Sequence, residues 1–356
     1  TLFYSFQKMK RTFFAFLFLF LLLSCKKEEK YTLNDWQKIS ENVAFKSVGD
    51  FVKLKSGKFN YNIPVSKLPF KKVMLLNASL VGYFTELSLE DKIIGISSPE
   101  YVYSEKIHSL ISEGKIQSIG NEQKYDIEKI IALKPDAVFT NYIASFDNTY
   151  DLIRKNGIEI IFLDEYLEQN PLEKSKYLMV FGRLLGPEEA SVVRFNEIQS
   201  SYDSLKALAQ KAQNKPVVLA NEMYGNQWFL PGGKTNLATL IADANAKYIN
   251  AENSDSKAVP LSFEEVFAKS QNAEFWVNVG NHQFKKELLQ INPNYAKMNV
   301  FNNGKLYTVS GKEKAKSNDF FESGVVRADL ILKDYIKIFH PELLPNYNLT
   351  YLKALK

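Results

Sequence analysis

The sequence predicts an α/β fold of two Rossmann-like lobes with parallel sheets, joined by one long helix. Three observations lead to this fold class. Short, continuously apolar stretches alternate with helical stretches in both halves of the chain, which is typical of parallel sheets covered on both faces. One helix-to-strand unit occurs twice, and a long uninterrupted helical stretch lies between the two copies.

The first copy of the repeated unit, YDIEKIIALKPDAVFT, runs from Tyr125 to Thr140. Asp126 is a good helix cap, an apolar-periodic run follows it, and a proline stops the helix before a buried strand. The second copy, LSFEEVFAKSQNAEFWV, repeats the cap, the first-turn acid, the apolar face, the break and the strand. In this register Glu128 falls on Glu264, and the duplication indicates two similar lobes.

The remaining predicted elements follow the same alternation. Strands are predicted at 73–76, 93–97, 116–120, 158–163, 217–220, 275–279 and 306–309, and helices at 79–89, 147–156, 235–242 and 283–290. The stretch from Glu188 to Gln213 contains no proline or glycine. A helix of about 26 residues would span roughly 40 Å, so this stretch is the natural connector of the lobes. A closing helix that begins at Phe321 or Gly324 is predicted to end near His340.

These elements divide the chain into consecutive parts. They are a signal peptide with an upstream prefix (1–24), a lipid-anchored tether with an N-terminal extension (25–70), an N-terminal lobe (71–168), the connecting helix (169–214), a C-terminal lobe (215–345) and an irregular tail (346–356). The extension has a mixed sequence with one predicted edge strand at 59–65, and we expect it to pack on the first lobe.

The composition is that of an ordinary globular protein, with 356 residues, 46% hydrophobic and 24% charged. The formal charge of +5 comes from scattered lysines, and no basic stripe with interleaved aromatics predicts nucleic-acid binding. The sequence lacks G-x-S-x-G, P-loop, G-x-G-x-x-G and H-E-x-x-H motifs, and its three histidines are dispersed. We therefore expect neither an enzyme nor a cofactor, and we do not expect a bare metal ion as ligand.

The N-terminus has the pattern of a secretory signal. Basic residues precede an apolar run from Phe13 to Leu23, which is shorter than the roughly 20 residues of a membrane span. Leu22-Leu23-Ser24-Cys25 resembles the lipobox of bacterial lipoproteins, so the single cysteine, Cys25, is expected to carry the lipid, with Met9 as the start. This predicts a lipid anchor to a membrane of the bacterial cell envelope on its periplasmic face, although the leaflet that carries the anchor stays open.

Several motifs together resemble those of a known family. They are IALKPDAV, IEIIFL from Ile158, GRLLG from Gly182, WFLPGGK from Trp228 and NDFFESGVVR from Asn318. With the lipobox, the two lobes and the long helix, they make residues 71–340 similar to the substrate-binding proteins of type II ABC importers for ferric siderophores, haem and cobalamin. The resemblance implies a monomer that captures an iron chelate, either a ferric siderophore or haem, and delivers it to an ABC permease.

In that family an exposed glutamate on each lobe pairs with arginines of the permease. The resemblance places this docking role on Glu128 and Glu264, in the first turns of the repeated helices. A carboxylate in a first turn is also favoured by the helix dipole, so ordinary first-turn acids are the alternative interpretation.

Two other functions stay open at this point. Cobalamin-binding members of the family often carry a tryptophan upstream of each docking glutamate, whereas the corresponding positions here are Glu122 and Ala258. This departure favours an iron chelate over cobalamin. A lipoprotein that acts as a scaffold without transport would keep the fold but would need no aromatic cleft.

Ligand-binding residues are expected in the loops that follow the strands, because the sheets present these loops to the cleft between the lobes. The candidates are Asn77, Ser79, Tyr101, Tyr103, Asn141 and Tyr142 in the first lobe, and Tyr224, Trp228, Lys234, Asn281, His282 and 317–320 with Phe320 in the second lobe. Their aromatic rings offer flat apolar area with a polar edge, which suits macrocycles and aromatic chelates. Haem ligation by His282 or a tyrosine stays open. Arg327, on the closing helix, would either face an anionic chelate or form a surface pair.

Overall fold

The computed structural model describes residues 36–356, so the predicted signal peptide, Cys25 and most of the tether lie outside the described residues. The α-helices are α1 (Val81–Glu86), α2 (Glu105–Ser112), α3 (Ile127–Leu133), α4 (Asp147–Lys155), α5 (Pro171–Lys176), α6 (Leu178–Leu185), α7 (Glu188–Ala209), α8 (Asn236–Asp243), α9 (Phe263–Lys269), α10 (Lys285–Ile291), α11 (Asn299–Asn303), α12 (Ser323–Val326) and α13 (Ala328–Phe339). In residues 36–356, no helix combines the length and the apolar character needed to cross a membrane.

The strands fall into sheets that match the two predicted lobes and add smaller ones. They are β1 (Gln37–Lys38), β2 (Val43–Val48), β3 (Phe51–Ser56), β4 (Phe59–Pro64), β5 (Val73–Leu75), β6 (Ile93–Ile96), β7 (Gln117–Ser118), β8 (Gly120–Asn121), β9 (Lys124–Tyr125), β10 (Ala137–Thr140), β11 (Glu159–Phe162), β12 (Val217–Ala220), β13 (Met223–Tyr224), β14 (Gln227–Pro231), β15 (Lys247–Tyr248), β16 (Ala258–Leu261), β17 (Phe275–Val279), β18 (Lys305–Thr308), β19 (Glu313–Lys314), β20 (Ser317–Asn318) and β21 (Lys353–Ala354).

The first lobe is built on a five-stranded parallel sheet in the order β11-β10-β5-β6-β7. Its central strands β5 and β10 are fully buried and apolar except for Thr140 at the end of β10, as expected for a sheet covered on both faces. Since β6 lies on one side of β5 and β10 on the other, the strand order reverses there. A crevice therefore opens at the carboxyl ends of β5 and β10.

The second lobe has a sheet in the order β15-β12-β17-β18-β21, in which the first four strands are parallel. Its order reverses between β12 and β17, which gives this lobe an equivalent crevice. The fifth strand, β21, pairs antiparallel with β18. The chain end thus differs from the expected irregular tail at 346–356, because it completes the second sheet and buries Tyr351 and Leu352.

The long helix α7 joins the lobes, as the sequence predicts. It has 22 residues and therefore a length of about 33 Å. Phe195 and Ile198 in its first half belong to the core of the first lobe, whereas Tyr202 and Ala209 belong to the core of the second. The fold class predicted from the sequence is therefore confirmed.

The repeated unit is present in both lobes. The Asp126 carboxylate accepts a 3.0 Å hydrogen bond from the Lys129 N–H and caps α3, and Lys134 ends that helix in the left-handed region at φ 48°. Ser262 caps α9 and forms a capping box with Glu265. The strands that follow, β10 and β17, are interior strands of the two sheets, so both copies lead to a crevice.

The N-terminal extension forms a four-stranded antiparallel sheet, β1-β2-β3-β4, of which only the last strand was predicted. Its apolar residues join the core of the first lobe. The Tyr61 hydroxyl accepts a 2.9 Å hydrogen bond from the Phe162 N–H, and Ser40 donates a 2.6 Å hydrogen bond to buried Glu168. The extension accordingly packs on the first lobe.

Candidate functional site

A cavity of about 470 Å³ lies at the carboxyl ends of β5, β17 and β18, and both lobes line it. The first lobe contributes Asn77, Ala78, Ser79, Tyr101 and Glu122, and the second contributes Gly280, Asn281, Thr308, Val309, Ser310, Glu313, Lys316, Asn318, Phe321 and Glu322. The cavity therefore occupies the cleft where the sequence predicts ligand-binding loops, and its size is in the range of small-molecule sites.

The first-lobe wall of the cavity rests on a chain of hydrogen bonds beneath Asn77 and Ser79. Asn77 donates to the Asn141 side-chain oxygen, and the Asn141 amide donates to Leu163 O (2.6 Å) and to the Glu165 carboxylate (2.8 Å). Ser79 donates a 2.7 Å hydrogen bond to the same carboxylate. Burial raises the pKa of Glu165. Asn141, a predicted ligand residue, thus supports Asn77 from behind.

The polar side chains of the second-lobe wall also form hydrogen bonds with other protein groups. Thr308 donates a 2.9 Å hydrogen bond to Gly280 O, so its hydroxyl accepts the hydrogen bond from Ser310, at 3.1 Å. Asn281 donates to the Glu313 carboxylate. Gly280 allows a close approach here, since a Cβ on it would lie 2.3 Å from Glu222 Oε1.

Two aromatic side chains and one lysine stand at the open side of the cavity. Tyr101 and Phe321 are 44% and 58% exposed, which leaves their rings free to contact a ligand. The Lys316 ammonium lies 6.0 Å from the centroid of the Tyr101 ring. The three side chains come from both lobes, so a ligand held among them would touch each lobe.

Glu322 connects the two sides of the cleft. Its carboxylate accepts hydrogen bonds from the backbone N–H groups of Tyr103, at 2.6 Å, and Ser104, at 3.1 Å. The side chain is buried, and burial raises the pKa of Glu322 to about 7. Tyr103, predicted as a ligand residue, therefore contributes its backbone, while its ring lies under the Lys314 ammonium at 5.1 Å.

Trp228 and Tyr224 do not line the cavity, contrary to the sequence prediction. Both lie in the antiparallel sheet β13-β14-β16, whose side chains alternate between its faces. Trp228 is fully buried, stacks on Trp276 at 5.4 Å and donates a 3.0 Å hydrogen bond to Ala220 O. Tyr224, at the turn of the hairpin, is 83% exposed and outside the lining.

Tyr142 and His282 follow strand ends but turn away from the cavity. The Tyr142 ring packs 5.0 Å from Phe59 of the N-terminal sheet, with the Lys58 ammonium 3.9 Å from its centroid. His282 Nε2 lies 2.8 Å from the Glu222 carboxylate, beside the cavity and outside its lining. The position of a residue after a strand therefore does not determine the direction in which its side chain points.

Phe320 and Arg327 also lie outside the lining. Phe320 packs on the second-lobe core, with its ring 6.3 Å from that of Tyr351. The Arg327 guanidinium makes two 2.9 Å hydrogen bonds to buried Asp329 and approaches Glu86 of the first lobe at 3.8 Å. Of the two roles considered for Arg327, the structure thus shows an ion pair, located between the lobes.

The lining includes residues that the sequence prediction missed. Glu313 and Lys316 belong to the short hairpin β19-β20, and Phe321 and Glu322 follow it. The predicted stretch 317–320 contributes Asn318 to the lining, and the missed residues flank it in the same long connection after β18. The hairpin reaches the cleft through its position between the lobes, which no local sequence signal reveals.

The two predicted docking glutamates lie outside the cleft. Glu128 and Glu264 are exposed in the first turns of α3 and α9, and neither forms an ion pair within residues 36–356. Over the same residues, no group of three His, Cys, Asp or Glu side chains is arranged to hold a metal ion.

Comparisons with known proteins agree with this architecture. The sequence profile of the family described as periplasmic binding protein matches residues 73–312. An uncharacterized lipoprotein of Methanocaldococcus jannaschii, MJ0878, is 21% identical over 80% of this chain and 69% of its own length. A periplasmic heme binding protein from Pseudomonas aeruginosa has a TM-score of 0.61 at 16% identity, with 81% of this chain and 98% of that one covered.

A second solved structure is similar in the same way. The siderophore binding protein FhuD from Vibrio cholerae, solved bound to Fe³⁺-Desferal, has a TM-score of 0.55 at 15% identity, with 75% of this chain and 98% of that chain covered. At such identities the structural likeness shows the fold, whereas the profile match covers most of the sequence. The chain belongs to the periplasmic binding protein family, the substrate-binding proteins of type II ABC importers.

Proposed function

We propose that this protein captures an iron chelate between its two lobes and delivers it to an ABC permease. The observation that carries this proposal is the cavity of about 470 Å³, which lies at the strand ends of both lobes and is lined from both sides. A ligand there would touch each lobe and would couple its presence to their relative position. Two structurally similar proteins are described as binding heme and a ferric siderophore, which supports a chelate of this class.

The chemistry of the lining supports binding rather than catalysis. Within the described residues, the cavity is lined by amides, hydroxyls, carboxylates, one lysine and aromatic rings, without a histidine or cysteine. The serine and threonine hydroxyls donate to neighbouring protein groups. No histidine lies in the lining to activate any of them, and the Glu165 carboxylate that accepts from Ser79 is also held by the Asn141 amide.

We further propose that Glu128 and Glu264 dock the protein to arginines of the permease. Each carboxylate is exposed at the same point of a repeated unit, one on each lobe. A permease that contacts both would bind according to the relative position of the lobes. The double variant Glu128→Ala, Glu264→Ala should lower uptake of the radioactive iron chelate by roughly tenfold or more, with chelate affinity unchanged.

Glu189 provides a matched control for this test. It is also an exposed acid in a first helical turn, at the start of α7, but it has no counterpart in the repeat. Glu189→Ala should leave uptake at the wild-type level. Equal loss in both variants, or no loss in either, would reject the docking role.

The predicted lipid on Cys25 would keep the protein beside its permease. This part of the proposal is tested by fractionating cells that express the wild type or Cys25→Ser. The wild type should sediment with membranes and carry a diacylglyceryl group by mass spectrometry, whereas Cys25→Ser should be soluble. A wild-type protein found entirely in the soluble fraction would contradict the anchor.

The ligand itself is best identified by native mass spectrometry of protein purified from its own host. An iron chelate retained at one copy per protein would support the proposal. A corrinoid would redirect it to cobalamin, and the absence of binding to any chelate or corrinoid in titrations would favour a scaffold. Turnover of a bound compound would indicate an enzyme instead.

A further inference from the structure

The charges around the cavity are unevenly distributed. Three carboxyl groups line it, on Glu122, Glu313 and Glu322, against a single cation, Lys316. Burial raises the pKa of Glu322 to about 7, so this group is only partly ionised at neutral pH and the excess rests mainly on Glu122 and Glu313. Two other lysines lie near the hairpin but are already paired: Lys312 with Asp319 at 3.2 Å and Lys314 with Glu105. The cleft therefore has an excess of negative groups over available positive ones.

Two further acids lie behind the walls, and burial raises the pKa of one of them, Glu165, because it disfavours the charged form. Glu165 lies beneath Ser79 and Asn141 in the first lobe, and Glu222 lies beside Gly280 in the second. Glu165 has no ion-pair partner within 4 Å among residues 36–356, and Glu222 has only His282. An anionic ligand in the cleft would approach these groups without a compensating arginine in the lining.

The serine and threonine hydroxyls of the lining already donate their protons to protein groups, so they face a ligand as acceptors. Ser79 gives its proton to Glu165, Thr308 gives its proton to Gly280 O, and Ser310 gives its proton to Thr308. Each hydroxyl oxygen can then only accept from a ligand. The side-chain donors that stay available are the Lys316 ammonium, the Tyr101 hydroxyl and one N–H of each lining asparagine amide.

We infer that the cleft selects chelates that are uncharged or positively charged and that present hydrogen-bond donors, and that it discriminates against polyanionic chelates. This inference rests on the proposed function and narrows its ligand class. Anions would meet unpaired carboxylates and hydroxyl lone pairs, which is a repulsive arrangement. A ligand with ammonium or amide N–H groups would instead satisfy Glu313, Asn281 and the hydroxyl oxygens. Among iron chelates, this favours hydroxamate-type complexes over haem with its two carboxylates and over triscatecholates.

The test compares iron complexes of different charge on one protein at neutral pH. Calorimetric titrations would use ferrioxamine B, which is cationic, ferrichrome, which is uncharged, and ferric enterobactin and hemin, which are anionic. We expect the first two to bind at least roughly tenfold more tightly than the anionic pair at about 150 mM salt, with a wider gap at lower salt. Equal or tighter binding of either anionic complex would overturn the inference but leave the proposed iron-chelate function standing.

Cyanocobalamin, an uncharged and amide-rich corrinoid, tests the iron part of the proposed function separately from the charge selection. Binding of cyanocobalamin without any ferric complex would reject the iron part of the proposed function and support the charge selection. A panel in which nothing binds would count against both.

A variant of a lining residue and a control variant test whether the cleft is responsible for the charge selection. Glu313→Gln keeps an oxygen that can accept a hydrogen bond from Asn281 but removes a charge. It should therefore weaken the binding of ferrioxamine B and lower the ratio of its affinity to that of ferric enterobactin by about threefold or more. Glu252→Gln is the control, because Glu252 is an exposed acid of the second lobe outside the lining. An unchanged affinity ratio in Glu313→Gln, or the same change of this ratio in Glu252→Gln, would contradict the inference.

Discussion

The Glu322 carboxylate accepts a 2.6 Å hydrogen bond from the backbone N–H of Tyr103, and this bond joins the segment before the closing helix to the first lobe. The carboxylate is only 4% exposed and has no cation within ion-pair distance among residues 36–356. Burial therefore outweighs the hydrogen bonds and raises the pKa of Glu322 from 4.5 to about 7.

This shift predicts a pH dependence of stability. The folded protein holds the Glu322 proton more tightly than the unfolded chain, so the contribution of this group is fully present below pH 4.5 and is lost as pH rises through about 7. The loss is about 3 kcal/mol. Urea unfolding of the wild type and Glu322→Gln at about pH 5 and about pH 8 should show the wild type losing most of this amount relative to the variant. Parallel pH dependences would contradict the assignment.

Gly82 should be sensitive to the smallest enlargement. A Cβ at this position of α1 would lie 2.2 Å from the carbonyl oxygen of Glu322, which is backbone and cannot rotate away. Gly82→Ala should therefore lower the free energy of unfolding by about 1–3 kcal/mol, measured by urea denaturation. Gly324→Ala is the control, because the nearest atom to the new methyl would be the flexible end of Ile331 at 3.3 Å, and Asp319 O and the Tyr351 ring would lie at the ordinary contact distances of 3.4 and 3.6 Å. If the two variants were equally stable, the contact between Gly82 and the Glu322 carbonyl would have room for a methyl group.

Trp228 should behave as a core residue. Trp228→Phe removes the hydrogen bond to Ala220 O and part of the stacking on Trp276, so we expect a loss of about 1–3 kcal/mol in the free energy of unfolding. Chelate affinity should stay within about twofold, because the indole does not reach the cavity. If the variant had wild-type stability but bound the chelate much more weakly, Trp228 would be a ligand-binding residue after all.

Asp334 should be essential for the folded chain end. Its buried carboxylate accepts hydrogen bonds from the backbone N–H groups of Thr350 (2.8 Å), Tyr351 (2.7 Å) and Leu352 (2.9 Å), and from the Tyr347 hydroxyl (2.6 Å). Asp334→Asn places an amide N–H against some of these donors and should cost about 2–3 kcal/mol. Asp91→Asn, at an exposed aspartate, is the control. Hydrogen exchange at 350–352 should accelerate only in Asp334→Asn.

Local patterns accounted for the elements of the main sheets. Apolar runs marked β5, β10, β12 and β17, because interior parallel strands are apolar on both faces. Caps and stops placed the repeated helices, since Asp126 and Ser262 act within one turn of their own chain. The first three strands of the N-terminal sheet and β21 escaped prediction for different reasons. β2 and β3 are apolar on one face only, so they lack the continuous apolar runs of the main-sheet strands. β21 is a two-residue strand that pairs with β18, which is distant in sequence.

The candidate site was predicted only in part for a related physical reason. Asn77 and Tyr101 follow strands whose ends face the cleft, and both line the cavity. Tyr142 follows β10, and Trp228, expected in the loop after β12, lies within β14. Each ring is held by neighbouring aromatics in a direction that the sequence does not encode locally. Glu313 and Lys316 reach the cleft from a short hairpin that no periodic pattern predicts, and Glu322 follows this hairpin.

The sequence by itself determined the two-lobed α/β architecture, the long connecting helix and the family, because periodicity, caps and motifs are local properties. The tertiary structure alone decided which side chains share the cleft, where their protons point and which glutamate is buried between the lobes. Those features depend on how the two lobes and the hairpin β19-β20 pack together, and packing between distant segments follows from their complementary shapes rather than from any one segment's pattern.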